Sequence, residues 1–145
     1  MAEKMPQTYA NHVKWVPMFH FVMMPLVLIN LLYSIYGVTQ GVGAESIMAL
    51  VVAFVLANIA LFSRVNALKA QDRVIRLEER LRMQALLPDE LRPRINDVST
   101  GQAVALRFAS DEELPALVRK ALDESADQKT IKQAIQTWRP DYQRV

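Results

Sequence analysis

Two runs decide the fold: MFHFVMMPLVLINLLYSIYGV, from Met18 to Val38, and SIMALVVAFVLANIALFS, from Ser46 to Ser63. No formal charge lies between Lys14 and Glu45, and none between Glu45 and Arg64. A helix crossing a bilayer core needs roughly 20 predominantly apolar residues, because lipid offers no partners to backbone N–H and C=O groups. The first run meets that length and the second just reaches it. The expected architecture is an all-α membrane protein: a two-span transmembrane helical hairpin whose second helix extends into a small cytosolic helical cap.

The boundaries follow from the same pattern. Residues 1–17 form a polar leader, 18–63 the hairpin (spans 18–38 and 46–63), 64–87 a helix emerging from the membrane, and 88–145 the cap and tail. The connection Thr39 to Glu45 carries no Lys or Arg, whereas Arg64, Lys69, Arg73, Arg76, Arg80 and Arg82 follow the second span and Lys4 and Lys14 precede the first. Basic residues stay on the cytoplasmic side, so both termini are expected there. Trp15, Tyr33 and Tyr36 fall at the expected depths of interfacial anchors. A competing reading makes the first span a secretory signal, with Val42, Gly43 and Ala44 as a small-residue cleavage site. The length of the apolar run and of the polar leader favours an uncleaved anchor.

Within the spans, Ala49, Ala53 and Ala57 repeat at four-residue spacing and Ala60 follows three later, a face of small side chains that lets another backbone approach. Asn30, Ser34 and Gly37 make a comparable stripe on the first span. Either the two stripes pack on each other, or they receive a helix from another protein. Asn30 and Asn58 need hydrogen-bond partners in hydrocarbon, and a depth offset of roughly 10 Å between them argues that they do not serve each other. Pro17 suits a first helical turn, whereas Pro25 falls inside the span and is expected to kink it.

Few residues carry recognisable chemistry. Cysteine is absent, which excludes disulfides and thiolate ligands but leaves the redox compartment open. His12 and His20 flank the entry to the first span, where an imidazole can ligate haem, a pigment or a metal; interfacial hydrogen bonding is the plainer role. No third ligand stands at metal spacing. Gly37, Gly41 and Gly43 lack the strand-to-helix context of a phosphate loop. Ser110 with Glu113 has the spacing of a capping box, and Asp72/Arg76 and Glu78/Arg82 have that of intrahelical ion pairs. The bases after Arg64 alternate with acids and lack an aromatic platform, so nucleic acid is not an expected partner.

From Arg64 to Leu86 there is neither Pro nor Gly, so the second span is expected to continue as one helix. Ala67, Ala70, Val74, Leu77 and Leu81 repeat at spacings 3, 4, 3, 4, a coiled-coil seam that packs on later helices of the chain or on another subunit. Short helices are expected over Asp89 to Ile95 and Thr100 to Phe108. Clearer ones cover Asp111 to Asp123 and Gln128 to Trp138, with Leu114, Leu117, Val118, Ala121 and Leu122 on one face and Ile131, Ala134, Ile135 and Trp138 on the other's. Pro88 ends the long helix and Pro140 the last.

The segments QTYANH (Gln7 to His12), QDRVIRLEERL (Gln71 to Leu81), ALRFASD (Ala105 to Asp111) and WRPDYQRV (Trp138 to Val145) resemble an uncharacterised family of small bacterial two-span membrane proteins. The resemblance spans the chain. It implies a bacterial inner-membrane hairpin followed by a helical cytosolic region, and it implies no activity. Arg107, Asp111, Arg139, Asp141 and Arg144 lie in those segments and read as a charged docking face.

Three functions follow. The first is a non-catalytic accessory or scaffold subunit of a larger membrane complex, respiratory or photosynthetic, using the span residues Asn30, Ser34, Ala49, Ala53, Ala57 and Asn58 and the cytosolic face. The second is binding of haem or pigment through His20 or His12. The third is a self-associating membrane organiser that forms homo-oligomers through the alanine face and Val74, Leu77 and Leu81. No nucleophile, base and stabiliser can be assembled, so an enzyme is not expected.

Overall fold

The computed structural model describes residues 7–141. Its elements are helical throughout, with no strand among the described residues: α1 Met24–Gln40, α2 Ala44–Leu86, α3 Thr100–Leu106, α4 Leu114–Asp123 and α5 Gln128–Ala134. A π-turn, Met18–Met23, leads into α1, and a 3-10 turn, Arg92–Asp97, follows α2. Residues 7–13 and 70–141 belong to one compact unit and residues 14–69 to another, with the helix α2 running through both segments.

The helices Met18–Gln40 and Ala44–Leu86 are each long and apolar enough to cross a membrane. Pro25 lies near the start of α1 but inside the continuous helix Met18–Gln40, where it supplies no N–H to the ladder. The disturbance expected from it is taken up just upstream, where the helix widens and the Met24 N–H reaches the Phe19 carbonyl. Residues 41–43 connect the helices, with the Gly43 N–H donating to Ser46 Oγ at 3.0 Å and that hydroxyl donating to the Gly41 carbonyl at 2.8 Å. Ser34 on α1 and Ala53 and Ala60 on α2 are buried.

The 7–13/70–141 unit is built around the last turns of α2. Ile75, Met83 and Leu87 are buried at four-residue multiples, and Met83 and Leu87 join Leu91, Ile95 and Val98 with the inner faces of α3, α4 and α5 in one core. Phe108 is the largest fully buried side chain, and Trp138 packs on it at 5.0 Å. Chain ends within the unit are tied by polar caps. Ser99 and Gln102 form a capping box at α3, and the Gln102 amide also donates to the carbonyls of Ala121 and Ala126 at 2.9 and 3.2 Å. Asp127 caps α5 through the Thr130 N–H at 2.8 Å. The exposed pairs Arg94–Asp123 and Arg119–Glu90 hold the segment after α2 against α4 and add little each.

Several boundaries differ from the periodicity. The expected helix over Asp89 to Ile95 is a 3-10 turn displaced to Arg92–Asp97, because Pro88 and Pro93 break the α ladder. At Ser110, the hydroxyl does accept from the Glu113 N–H at 3.3 Å, but the Glu113 carboxylate leaves the expected capping box. It accepts instead from the N–H groups of Gln136 and Thr137 at 3.1 and 2.8 Å. That pull ends α5 at Ala134 and puts Ile135 in an extended conformation. Trp138 therefore lies beyond the helix, in an isolated bridge to Ala109.

Two substitutions test this core. After α4, Ser125 has φ 49° and the Ala126 N–H reaches back to the Ala121 carbonyl, a Schellman-type end that favours glycine at the left-handed position. Ser125→Gly is expected to stabilise the chain by about 0.5–1 kcal/mol. Phe108→Ala should cost about 3–5 kcal/mol. Thermal melts of helical circular dichroism in detergent check both, and shifts of equal sign would contradict this packing.

Candidate functional site

The strongest concentration of charge lies in a cleft of about 630 Å³ on the 7–13/70–141 unit, lined by α2 residues from Gln71 to Arg82 together with Arg107, Arg139, Pro140 and Asp141. Helical spacing explains one wall: Glu79 falls between Ile75 and Met83 on the buried face of α2, so its carboxylate is carried inward with its apolar neighbours. A buried carboxylate requires cationic or N–H partners. Arg82 Nη1 lies 3.1 Å from Glu79 Oε2, and Arg139 Nη1 lies 3.7 Å from Oε1. Arg82 also clamps Asp111 Oδ1 through Nε at 2.9 Å and Nη2 at 2.6 Å, and donates to the Ala109 carbonyl at 2.7 Å. One guanidinium thus joins α2 to the turn before α4.

The opposite wall comes from the C-terminal segment. Arg139 donates its backbone N–H to the Phe108 carbonyl at 2.7 Å, which sets the path of the chain to Asp141. There the Asp141 carboxylate meets Arg107 Nε at 3.2 Å, and the Arg107 guanidinium lies 4.6 Å from the Phe108 ring. Gln7 completes the arrangement, exchanging two hydrogen bonds with the Asp141 backbone at 2.9 and 3.1 Å. The cleft lining balances three arginines against three carboxylates, those of Glu78, Glu79 and Asp141. Such a surface suits recognition by charge pattern better than capture of a simple anion.

The residues expected to act together separate into distinct groups. Arg107, Arg139 and Asp141 are brought together in the cleft, while Arg144 lies outside the described residues. The expected pairs Asp72/Arg76 and Glu78/Arg82 are not formed: Arg82 turns to Glu79, three residues earlier on the helix, and to Asp111, which long-range packing brings within reach. Val74, Leu77 and Leu81 do not pack on later helices of the chain; they are 54, 61 and 59% exposed. Glu79 and Arg82 are absent from the residues expected from sequence to form a site, whereas Asp111 is among the charges of the expected docking face. The signal for Glu79 was its place on the apolar Ile75/Met83 face, but nothing local marks the partnership with Asp111.

In the 14–69 unit, Asn30 and Ser34 line a groove with Tyr33, Glu45, Met48 and Ala49. Ser34 donates to the Asn30 carbonyl at 2.9 Å, and the Asn58 amide donates to the Phe54 carbonyl at 2.8 Å. Both polar side chains find partners within their own helices, which lessens the cost of an apolar surrounding. Ala53 is buried, Ala57 half-buried and Ala49 exposed.

The histidines have different surroundings. His12 packs against Phe108 and Trp138, with Nδ1 2.7 Å from the Tyr9 carbonyl and Nε2 3.4 Å from Lys132 Nζ. These contacts seat the ring against the aromatic pair of the core. His20 Nδ1 lies 3.0 Å from the Val16 carbonyl and its ring meets Trp15 and Phe19 edge-on. No group of three or more His, Cys, Asp or Glu side chains among the described residues is placed to hold a metal.

A family profile matches residues 1–145, described as a family of unknown function, DUF6526. The chain belongs to that family. No curated protein and no solved structure matches it. The match covers both the cleft-bearing unit and the apolar helices without assigning either a task.

Burial pushes the Glu79 carboxyl above its ordinary value of 4.5, against the opposing pull of Arg82 and Arg139. Because the folded chain holds this proton more tightly than the unfolded chain, the associated stability is complete below the unfolded value and lost as pH rises through the folded one. The wild-type Tm should therefore carry a downward component as pH rises above 4.5. Glu79→Gln is expected to flatten that component; parallel Tm-against-pH profiles for the two proteins would refute the assignment.

Proposed function

We propose that this chain is a non-catalytic accessory or scaffold subunit of a larger bacterial membrane complex. The carrying observation is the surface of the two long helices. Leu26, Ile29, Leu32, Phe54, Ile59 and Phe62 are 56 to 63% exposed, whereas the core helix of a water-soluble protein buries such side chains. Lipid tails or partner helices are the natural cover for an apolar surface of this extent.

In this reading the helices form a hairpin through residues 41–43, and the basic residues after Ser63 hold both termini in the cytoplasm of the bacterial inner membrane. The 70–141 segment is then a cytosolic cap. Its cleft engages a partner by charge pattern, since Arg82 and Glu79 are already committed to each other and to neighbouring groups. Mutual neutralisation favours a structural surface over a reactive centre, which requires a group poised for substrate.

Extraction and co-purification test the proposal. The chain should resist release from native membranes by alkaline carbonate and should co-purify with a larger assembly in mild detergent. Release by carbonate would overturn the membrane assignment. A lone chain in the detergent preparation would overturn the subunit assignment.

A further inference from the structure

Helix α2 carries apolar residues on two opposite faces in its 70–86 segment. Ile75 and Met83, with Glu79 between them, are 5% exposed or less, and Met83 belongs to the core of its own unit. The other face presents Ala70, Val74, Leu77 and Leu81, all exposed. A helix needs one apolar face to dock on its own domain; a second is surplus to the fold.

We propose that this second face is the seam of a parallel, two-stranded coiled coil with a second copy of the chain. The proposal deepens the membrane-subunit reading and rests on its single orientation in the bilayer, which makes the helices of two copies emerge on the same side. The sequence supports the same geometry independently. With Val74 and Leu81 at a and Ala70 and Leu77 at d, the flanking e positions are Gln71 and Glu78 and the g positions Arg73 and Arg80. In a parallel pair, a g residue faces the e residue five positions later on the other strand, which sets Arg73 against Glu78 of the second copy, twice by symmetry. Antiparallel pairing would instead bring the arginines of the two g rows together. Charge complementarity therefore selects the parallel pair.

Both residues are available for this exchange. Arg73 and Glu78 are exposed, and neither enters an ion pair among the described residues. Val at a with Leu at d, as at Val74 and Leu77, is the combination that favours two strands. The seam is short, but anchored copies share a high effective concentration in the membrane plane, so weak pairing suffices.

The absence of cysteine makes the test clean. Single substitutions Val74→Cys, Leu77→Cys and Leu81→Cys, oxidised in membranes with copper phenanthroline, should give disulfide-linked homodimers several-fold above Leu86→Cys, an exposed position off the seam. Adding Arg73→Glu to Leu77→Cys should lower the yield several-fold, and adding Glu78→Arg as well should restore it. Equal crosslinking at residue 86, no homodimer at any seam position, or adducts only with a different protein would overturn the dimer. Co-purification of the wild-type chain separates the two readings: a host complex without self-crosslinks removes the dimer alone, and self-crosslinks without a host remove the accessory role alone.

Discussion

The cleft-bearing unit depends on the burial of one face of α2 against three short helices. With no disulfide in the chain, helices α3, α4 and α5 cannot build a sufficient core by themselves at this size. Met83 and Leu87 supply what they lack, and both are almost wholly inaccessible. The same packing carries Glu79 inward, where its charge has to be answered. Arg82 answers it, and because that guanidinium also holds Asp111 and the Ala109 carbonyl, apolar burial and charge pairing reinforce a single position of α2 in the unit.

Charge neutralisation gives the cleft a patterned surface. Arg107 is held by Asp141 and lies over Phe108, while Arg139 approaches Glu79 from the C-terminal segment. Arginine suits such sites because its planar fork engages carboxylates and stacks on rings with little loss of order. The result is a patterned surface with Val74 and Glu78 at its margin. In the proposed dimer, that margin is where a second copy would sit, so assembly and partner recognition would share one edge of α2.

Much of the fold was legible from local pattern. Uncharged runs located the two long helices, and the lack of Pro and Gly from Arg64 to Leu86 carried the second through to the residue where it ends. The amphipathic faces of α4 and the first part of α5 were equally clear. At the end of α5, where local pattern misled, a distant group intervened. Trp138 continues the α5 periodicity, yet the Glu113 carboxylate captures the backbone of Gln136 and Thr137 and draws that segment out of the helix. Candidate site residues fared similarly: Arg107, Arg139 and Asp141 meet, whereas the two histidines occupy separate environments.

By itself, the sequence determined the helical class, the extent of the apolar segments and the presence of two usable faces on α2, because each is a property of composition or helical period. Tertiary structure alone decided which face of α2 turns inward and which acid Arg82 chooses. Both choices compare groups about thirty residues apart, such as Arg82 and Asp111. Their energies exist only once burial has lowered the local dielectric and fixed the distances.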